Sequence, residues 1–372
     1  MKILTVVGNR PQFIKAAAVS APLRCEHEEL LVHTGQHHDD ALSAIFFREL
    51  GLARPDRELG IHGGSNTSQL SRMLAALEPL LAAERPDAVL VYGDTNSTLA
   101  GALAAAEANL PVIHVEAGMR SFDRAMPEER NRVLTDHLSE LLLCASRTAA
   151  ENLRAESVAG RVEVVGDVMV DVASRLQPAA RADTATLDAH GVTRGGYLLL
   201  TAHRAGNVDD PERLARLVEL IGALPGPAVF PLHPRTRARL DDAGLLEQLE
   251  ATPGLRITEP LGYVELAALL CQARAVVTDS GGVQKEAYLA GVPCVTLRAS
   301  TEWVETVELG WNTLVDLDPE AALAALERRP PAERPPLYGD GHAAERCVAA
   351  IGSAIGSRDG GPRAGEGLGA ER

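Results

Sequence analysis

The sequence predicts an α/β protein made of two doubly wound, Rossmann-like domains that face a central cleft. Short apolar runs alternate with helical patterns along most of the 372 residues, which is the signature of parallel β-α-β units. The alternation lapses once, over a polar, Ala- and Arg-rich segment from about Ala173 to Gly195 that reads as a connecting helix and linker. The expected division is a first domain over 1–170 and a second over 171–356. A last helix from His342 to about Ile355 belongs to the second domain or packs back on the first. The Gly-, Arg- and Glu-rich tail over 357–372 is expected to be disordered.

Composition limits what such a chain can do. With 46% apolar residues and no apolar run long enough to cross a bilayer, it reads as a soluble globular protein with a sizeable core. A formal charge of -15 argues against nucleic acid or an anionic membrane surface as partner, because both select basic surface. Any phosphate must be gripped locally. Cys25, Cys144, Cys271, Cys294 and Cys347 are scattered without a C-x-x-C pair, so neither a zinc ribbon nor a disulfide framework is indicated. A reducing cytoplasm is the expected location. The N-terminus enters a strand directly, with neither the length nor the cleavage site of a signal peptide. Of 36 basic residues only Lys2, Lys15 and Lys285 are lysine. A lysine kept against that bias suggests a place where a compact ammonium is wanted, with chance survival at the surface as the competing reading.

In order, the first strand is Ile3–Val7 and runs into Gly8-Asn9-Arg10-Pro11-Gln12, with Pro11 suited to the first turn of a helix. Arg10 therefore stands at the strand's carboxyl end, where open α/β sheets bind ligands, and with Lys15 suggests a phosphate clamp. No G-x-G-x-x-G dinucleotide fingerprint occurs there or elsewhere. Strand Glu29–His33 leads to His37-His38-Asp39-Asp40, read as a polar loop and not a metal site because adjacent loop side chains seldom converge on one ion. Strands Ala88–Tyr92 and Val112–Val115 end in Asp94 and Glu116, with an Ala-rich helix from Leu99 to Asn109 between them. Glu128 follows in the first turn of a helix opened by Pro127. Three carboxylates crowded at one sheet edge are expected to raise one another's pKa, giving one protonated acid and one ionised base.

The second half repeats the scheme. Strand Tyr197–Leu200 ends in Thr201-Ala202-His203-Arg204, and Ala228–Leu232 closes with His233-Pro234-Arg235. Tyr263 follows Arg256-Ile257-Thr258, placed to hold a base with its ring or backbone. The run Ala273–Val277 then meets Thr278-Asp279-Ser280-Gly281-Gly282, which opens a helix. Small residues and free N–H groups at a helix N-terminus form an anion site, and Glu286, about a turn and a half further in, is positioned for ribose hydroxyls. A plain strand-turn-helix corner with a Ser cap fits the same residues.

The motif set as a whole resembles the non-hydrolysing UDP-N-acetylglucosamine 2-epimerases. It comprises Gly8-Asn9-Arg10-Pro11-Gln12, Gly93-Asp94-Thr95, His114-Val115-Glu116-Ala117-Gly118, Pro127-Glu128-Glu129 through Asn131-Arg132, His203-Arg204, Asp279-Ser280-Gly281-Gly282 and Thr301-Glu302-Trp303, in the family's order over about residues 1–355. The resemblance implies a glycosyltransferase-B-like fold, interconversion of UDP-N-acetylglucosamine and UDP-N-acetylmannosamine, no cofactor and a homodimer. It carries Asp94, Glu116 and Glu128 over as acid/base groups. Arg10, His203, Ser280 and Gly281 carry over to the diphosphate, Glu286 to the ribose and Lys15 to the same site. Gly282, Arg132, Tyr263, Arg298 and Glu302 are further candidate contacts to the nucleotide-sugar. Departures are Asn9, Gln12, Val304 and above all Ala205-Gly206, where members activated by their own substrate usually have Arg and Glu. Gln36, His37, Arg72 and His233 still match the second-site pattern, which leaves substrate activation open; with Ala205-Gly206 in that place, weak or absent activation is expected.

Chemistry points the same way without the name. The proton on carbon 2 of such a sugar is not next to a carbonyl, so inversion there needs transient oxidation or loss of the leaving group. The missing dinucleotide fingerprint favours the second route: UDP leaves carbon 1 while a base takes the carbon 2 proton, and re-addition to the glycal gives the epimer. The nearest alternatives are a hydrolysing epimerase that releases the sugar, and a glycosyltransferase, which needs only one base.

Overall fold

The computed structural model describes residues 1–36 and 49–355. Strand β1 (Lys2–Val7) runs through the middle of the first sheet, and its side chains alternate between two buried faces. Ile3 and Val7 join a core with Phe13, Leu31 and Leu90, while Leu4 and Val6 join another with Met73, Leu77 and Ala100. Around it lie β2 (Glu28–His33), β3 (Arg57–Glu58), β4 (Ala88–Tyr92), β5 (Val112–Ala117), β6 (Leu141–Cys144) and β7 (Arg161–Val164), all parallel, in the order β3-β2-β1-β4-β5-β6-β7.

The second sheet holds β8 (Leu198–Thr201), β9 (Ala228–Pro231), β10 (Leu255–Thr258), β11 (Ala275–Thr278), β12 (Cys294–Thr296) and β13 (Asn312–Leu314). Its order, β10-β9-β8-β11-β12-β13, repeats the winding of the first, again fully parallel. Each sheet therefore has one point where the strand order reverses, between β1 and β4 in the first and between β8 and β11 in the second. Crevices open at the carboxyl ends of such strand pairs.

The chain passes between the sheets through the Val168–Ala182 helix, capped by Asp167, and a short Thr184–Ala189 helix capped by Asp183. The stretch read as a connecting helix and linker thus holds two helices, the first starting earlier than Ala173. The last helix, Ala343–Ile355, returns to the first sheet, where Cys347, Val348 and Ile351 share a core with Phe13 and Ile14. Gln12 joins the ends of β1 and β4: its amide oxygen accepts the Gly8 N–H at 2.7 Å, and its amide nitrogen donates to the Tyr92 carbonyl at 2.9 Å. A carboxylate cannot make the second bond, which gives a physical reason for Gln at this departure from the family pattern. Among the described residues no helix is long and apolar enough to cross a membrane.

Candidate active site

Both reversal points open onto one cleft of about 1370 Å³. On the first-lobe rim each acid faces a cation, not another acid. Arg132 donates to Asp94, Lys15 pairs with Glu116, and Glu128 lies 3.7 Å from Arg204 of the opposite lobe. The expected mutual raising of carboxylate pKa values is therefore corrected for Glu116. Burial alone pushes its carboxyl up, but the Lys15 and Lys285 ammoniums outweigh burial and hold it down at about 2. The expected phosphate clamp also divides, because Lys15 is engaged by Glu116 while Arg10 faces Glu286 and Tyr263.

Glu116 sits where β5 breaks register between Val115 and Ala117, with φ of 70°, a left-handed value unusual for a non-glycine residue. That kink turns the carboxylate out of the sheet into the cleft. The strain persists because the surroundings hold it. Gly93, with φ of 64°, makes the matching turn after β4, and a Cβ there would come within 3.1 Å of Lys15 Nζ. A carboxyl held below its ordinary 4.5 contributes stability that is complete above that value and lost as pH falls towards about 2. Wild-type unfolding free energy should accordingly fall more steeply between those limits than that of Glu116→Gln, as read by denaturant titrations at each pH; equal slopes would contradict the assignment.

On the second lobe, Asp279 at the end of β11 shapes the facing turn. Its carboxylate accepts the N–H groups of His203 (3.0 Å) and Arg204 (2.9 Å) and the Asn207 amide (3.2 Å), which fixes His203 over the cleft. Burial and the guanidiniums of Arg204, Arg10 and Arg235 keep the His203 imidazole below its ordinary pKa, against the pull of Asp279. His203 stacks on His233 at 5.3 Å. Ser280 occupies the N-cap position of the Gly281–Ala290 helix, yet its side chain makes no cap hydrogen bond. The first-turn N–H groups thus face the cleft with no cap from Ser280, which favours the anion site over the plain corner. Burial raises the Glu286 carboxyl, opposed by Arg10 and the Tyr263 hydroxyl.

Gly281 is needed for a close approach. A Cβ there would fall 2.2 Å from Glu302 Oε1, whose carboxylate also accepts from Arg298 at 2.9 Å. Gly281→Ala should therefore displace Glu302 and raise KM for the nucleotide-sugar by about tenfold, equivalent to ~1.4 kcal/mol. Melting should change little, since only a side-chain end must move; an unchanged KM would count against a ligand at this helix start.

All fourteen residues expected to serve catalysis or substrate binding line this one cleft: Asp94, Glu116, Glu128 and His203, with Arg10, Lys15, Arg132, Tyr263, Ser280, Gly281, Gly282, Glu286, Arg298 and Glu302. Gln36 and His233 line it as well. Gln36 accepts from Ser97, while Arg72 lies outside the lining, its guanidinium donating to the carbonyls of His62 and Gly63. His37 with its polar loop, and the tail over 357–372, lie outside the described residues. Among the described residues no cluster of three or more His, Cys, Asp or Glu is arranged to hold a metal.

Sequence reasoning missed Asp136. Buried beneath the acids, it bonds His114 Nδ1 at 2.7 Å and Arg120 at 2.7 Å, while His114 Nε2 bonds the Gly93 carbonyl at 2.7 Å. Burial pushes the Asp136 carboxyl up, but His114 and Arg120 outweigh it and hold it ionised. The only signal for it in the sequence is an acid in the inward stripe of the Pro127–Leu138 helix.

Two doubly wound lobes, with acids on one rim and an uncapped helix start on the other, define a glycosyltransferase-B-like protein. A profile described as UDP-N-acetylglucosamine 2-epimerase matches residues 23–352. The chain is 46% identical over 351 residues to a UDP-N-acetylglucosamine 2-epimerase homolog of Methanococcus maripaludis, covering 94% of this chain and 98% of the relative. It is equally 46% identical over 360 residues to the UDP-2,3-diacetamido-2,3-dideoxy-D-glucuronate 2-epimerase of Pseudomonas aeruginosa, with the same coverage. The solved Methanocaldococcus jannaschii UDP-GlcNAc 2-epimerase in complex with UDP-GlcNAc and UDP matches with a TM-score of 0.89 at 39% identity, covering 95% of this chain and 100% of that one. The chain belongs to the UDP-N-acetylglucosamine 2-epimerase family.

Proposed function

We propose that this chain is a non-hydrolysing epimerase that interconverts UDP-N-acetylglucosamine and UDP-N-acetylmannosamine by elimination and re-addition of UDP. The observation that carries this reading is the placement of three paired acids and the uncapped Gly281–Ala290 helix start on opposite rims of one cleft. The helix N–H groups, Ser280, Arg10 and His203 take the diphosphate, and Glu286 takes the ribose. Glu116, ionised between two ammoniums, accepts the carbon 2 proton as the bond from carbon 1 to UDP breaks. An arriving diphosphate draws on the Lys15 charge, which makes the carboxylate more basic when substrate is in place. Asp94 and Glu128 supply carboxyl groups for the return proton on the other face. Released UDP is held by the socket until the glycal is protonated, and this retention separates the reading from a hydrolase.

Incubation with UDP-N-acetylglucosamine in deuterated water tests it. Proton NMR should show two UDP-sugars in equilibrium with deuterium at carbon 2; free N-acetylmannosamine would favour the hydrolysing reading, and sugar transfer to an added acceptor a glycosyltransferase. The Pseudomonas aeruginosa relative supports a second reading, in which the sugar is a 2,3-diacetamido uronate carried on UDP. Direct competition between the two UDP-sugars, read as kcat/KM, decides between them.

A further inference from the structure

We propose that Lys285 is a positioning residue for this reaction, reaching from the nucleotide-socket helix across the cleft to complete a two-ammonium clamp on Glu116 when the lobes meet. The inference rests on the reading of Glu116 as the proton acceptor and goes beyond it. Lys285 belongs to the second lobe, on the helix that begins at Gly281, while Glu116 ends β5 of the first. Its side chain is 2% exposed, with Nζ 3.5 Å from Glu116 Oε1 and paired also with Asp167, the cap of the helix that links the lobes. The same ammonium lies 4.4 Å from the centre of the Trp303 ring, so it is held on an aromatic face as well as by carboxylates.

Two of the three lysines in an otherwise Arg-dominated chain thus converge on one carboxylate, one from each lobe. One compact ammonium meets Asp167, Glu116 and the Trp303 face together, a role that suits lysine better than the planar fork of Arg. Among the described residues, the charged groups facing Glu116 are Lys15 from the Arg10–Glu26 helix, Arg132 from the Pro127–Leu138 helix and Lys285; those facing Lys285 are Asp167, Glu116 and, further off, Glu286. Lys15 is supplied by the acid's own lobe and is present whatever the lobes do. Lys285 arrives only with the socket. The device therefore ties the proton affinity of the base to docking of the lobe that holds the nucleotide.

The test is a carbon-13 NMR titration of Glu-labelled protein, with the Glu116 carboxyl assigned from its loss in Glu116→Gln, run on wild type and Lys285→Met. In wild type the Glu116 carboxyl should stay ionised across the folded range; in Lys285→Met it should titrate one to two pH units higher, as expected for loss of one adjacent charge. An acid limb of kcat/KM set by this carboxyl should rise with it, into the range where the variant is folded. If Lys285→Met fails to fold, the double variant Lys285→Met with Asp167→Asn removes the stranded carboxylate and should show the same displacement. A lowered melting temperature with unmoved carboxyl titration and acid limb would make Lys285 merely structural and overturn the proposal. Absence of carbon 2 exchange in the wild type would sink the epimerase reading instead, and the carboxyl titration would still judge the clamp.

Discussion

Glu116→Gln should lower kcat by about three to four orders of magnitude, at the upper end of what removal of one general base costs. The amide cannot accept a proton, yet it keeps the shape of the side chain at a left-handed position already fixed by the register break in β5. A competing effect is loss of fold, because Lys15 and Lys285 lose a carboxylate between them. Lys285 keeps Asp167, so the variant should remain folded and still bind UDP. Kinetics of epimerisation together with calorimetry of UDP binding separate the two effects. Intact UDP affinity with kcat reduced by less than tenfold would remove Glu116 from the chemistry.

The largest effect on stability is expected at Asp136. Asp136→Ala should cost about 3–5 kcal/mol, the usual consequence of taking one partner from a buried charge network. Its carboxylate serves His114, Arg120 and the Gly118 N–H, and all three donors are buried. His114 in turn holds the Gly93 carbonyl, so the turn that presents Asp94 should loosen and activity should fall together with stability. Urea unfolding should show a lower midpoint with an unchanged slope. A midpoint within error of wild type would mean that the network contributes little and that Asp94 is positioned by Arg132 and Asn131 alone.

How far the sequence could be read follows from what each residue's signal depends on. The strands that end at the cleft were legible because they are parallel, buried on both faces and therefore continuous apolar runs, as in β1, β4 and β11. Edge strand β7, Arg-Val-Glu-Val, carries no such run, and β6 is hidden because Leu141–Cys144 follows closely on the helix ending at Leu138. Residues at strand ends and helix starts could be chosen from type and position, and those chosen for catalysis and substrate line one cleft. What could not be read was pairing. Three acids in sequence look like a crowded set that should repel, but Arg132, Lys15 and Arg204 come from other elements and one of them from the other lobe. Asp136 was invisible for the same reason, since an acid in a helical stripe gains meaning only when His114 and Arg120 are folded around it.

The proposed reaction turns on UDP leaving carbon 1 and returning to it. UDP-N-acetylglucosamine labelled with oxygen-18 at the bridging position between carbon 1 and the β-phosphorus tests this in one measurement, because a freed β-phosphate can rotate before it re-adds. Phosphorus-31 NMR should show the label scrambling into non-bridging positions at a rate comparable to epimerisation. Epimer formation with the label retained in the bridge would contradict a released UDP whose β-phosphate turns before it re-adds.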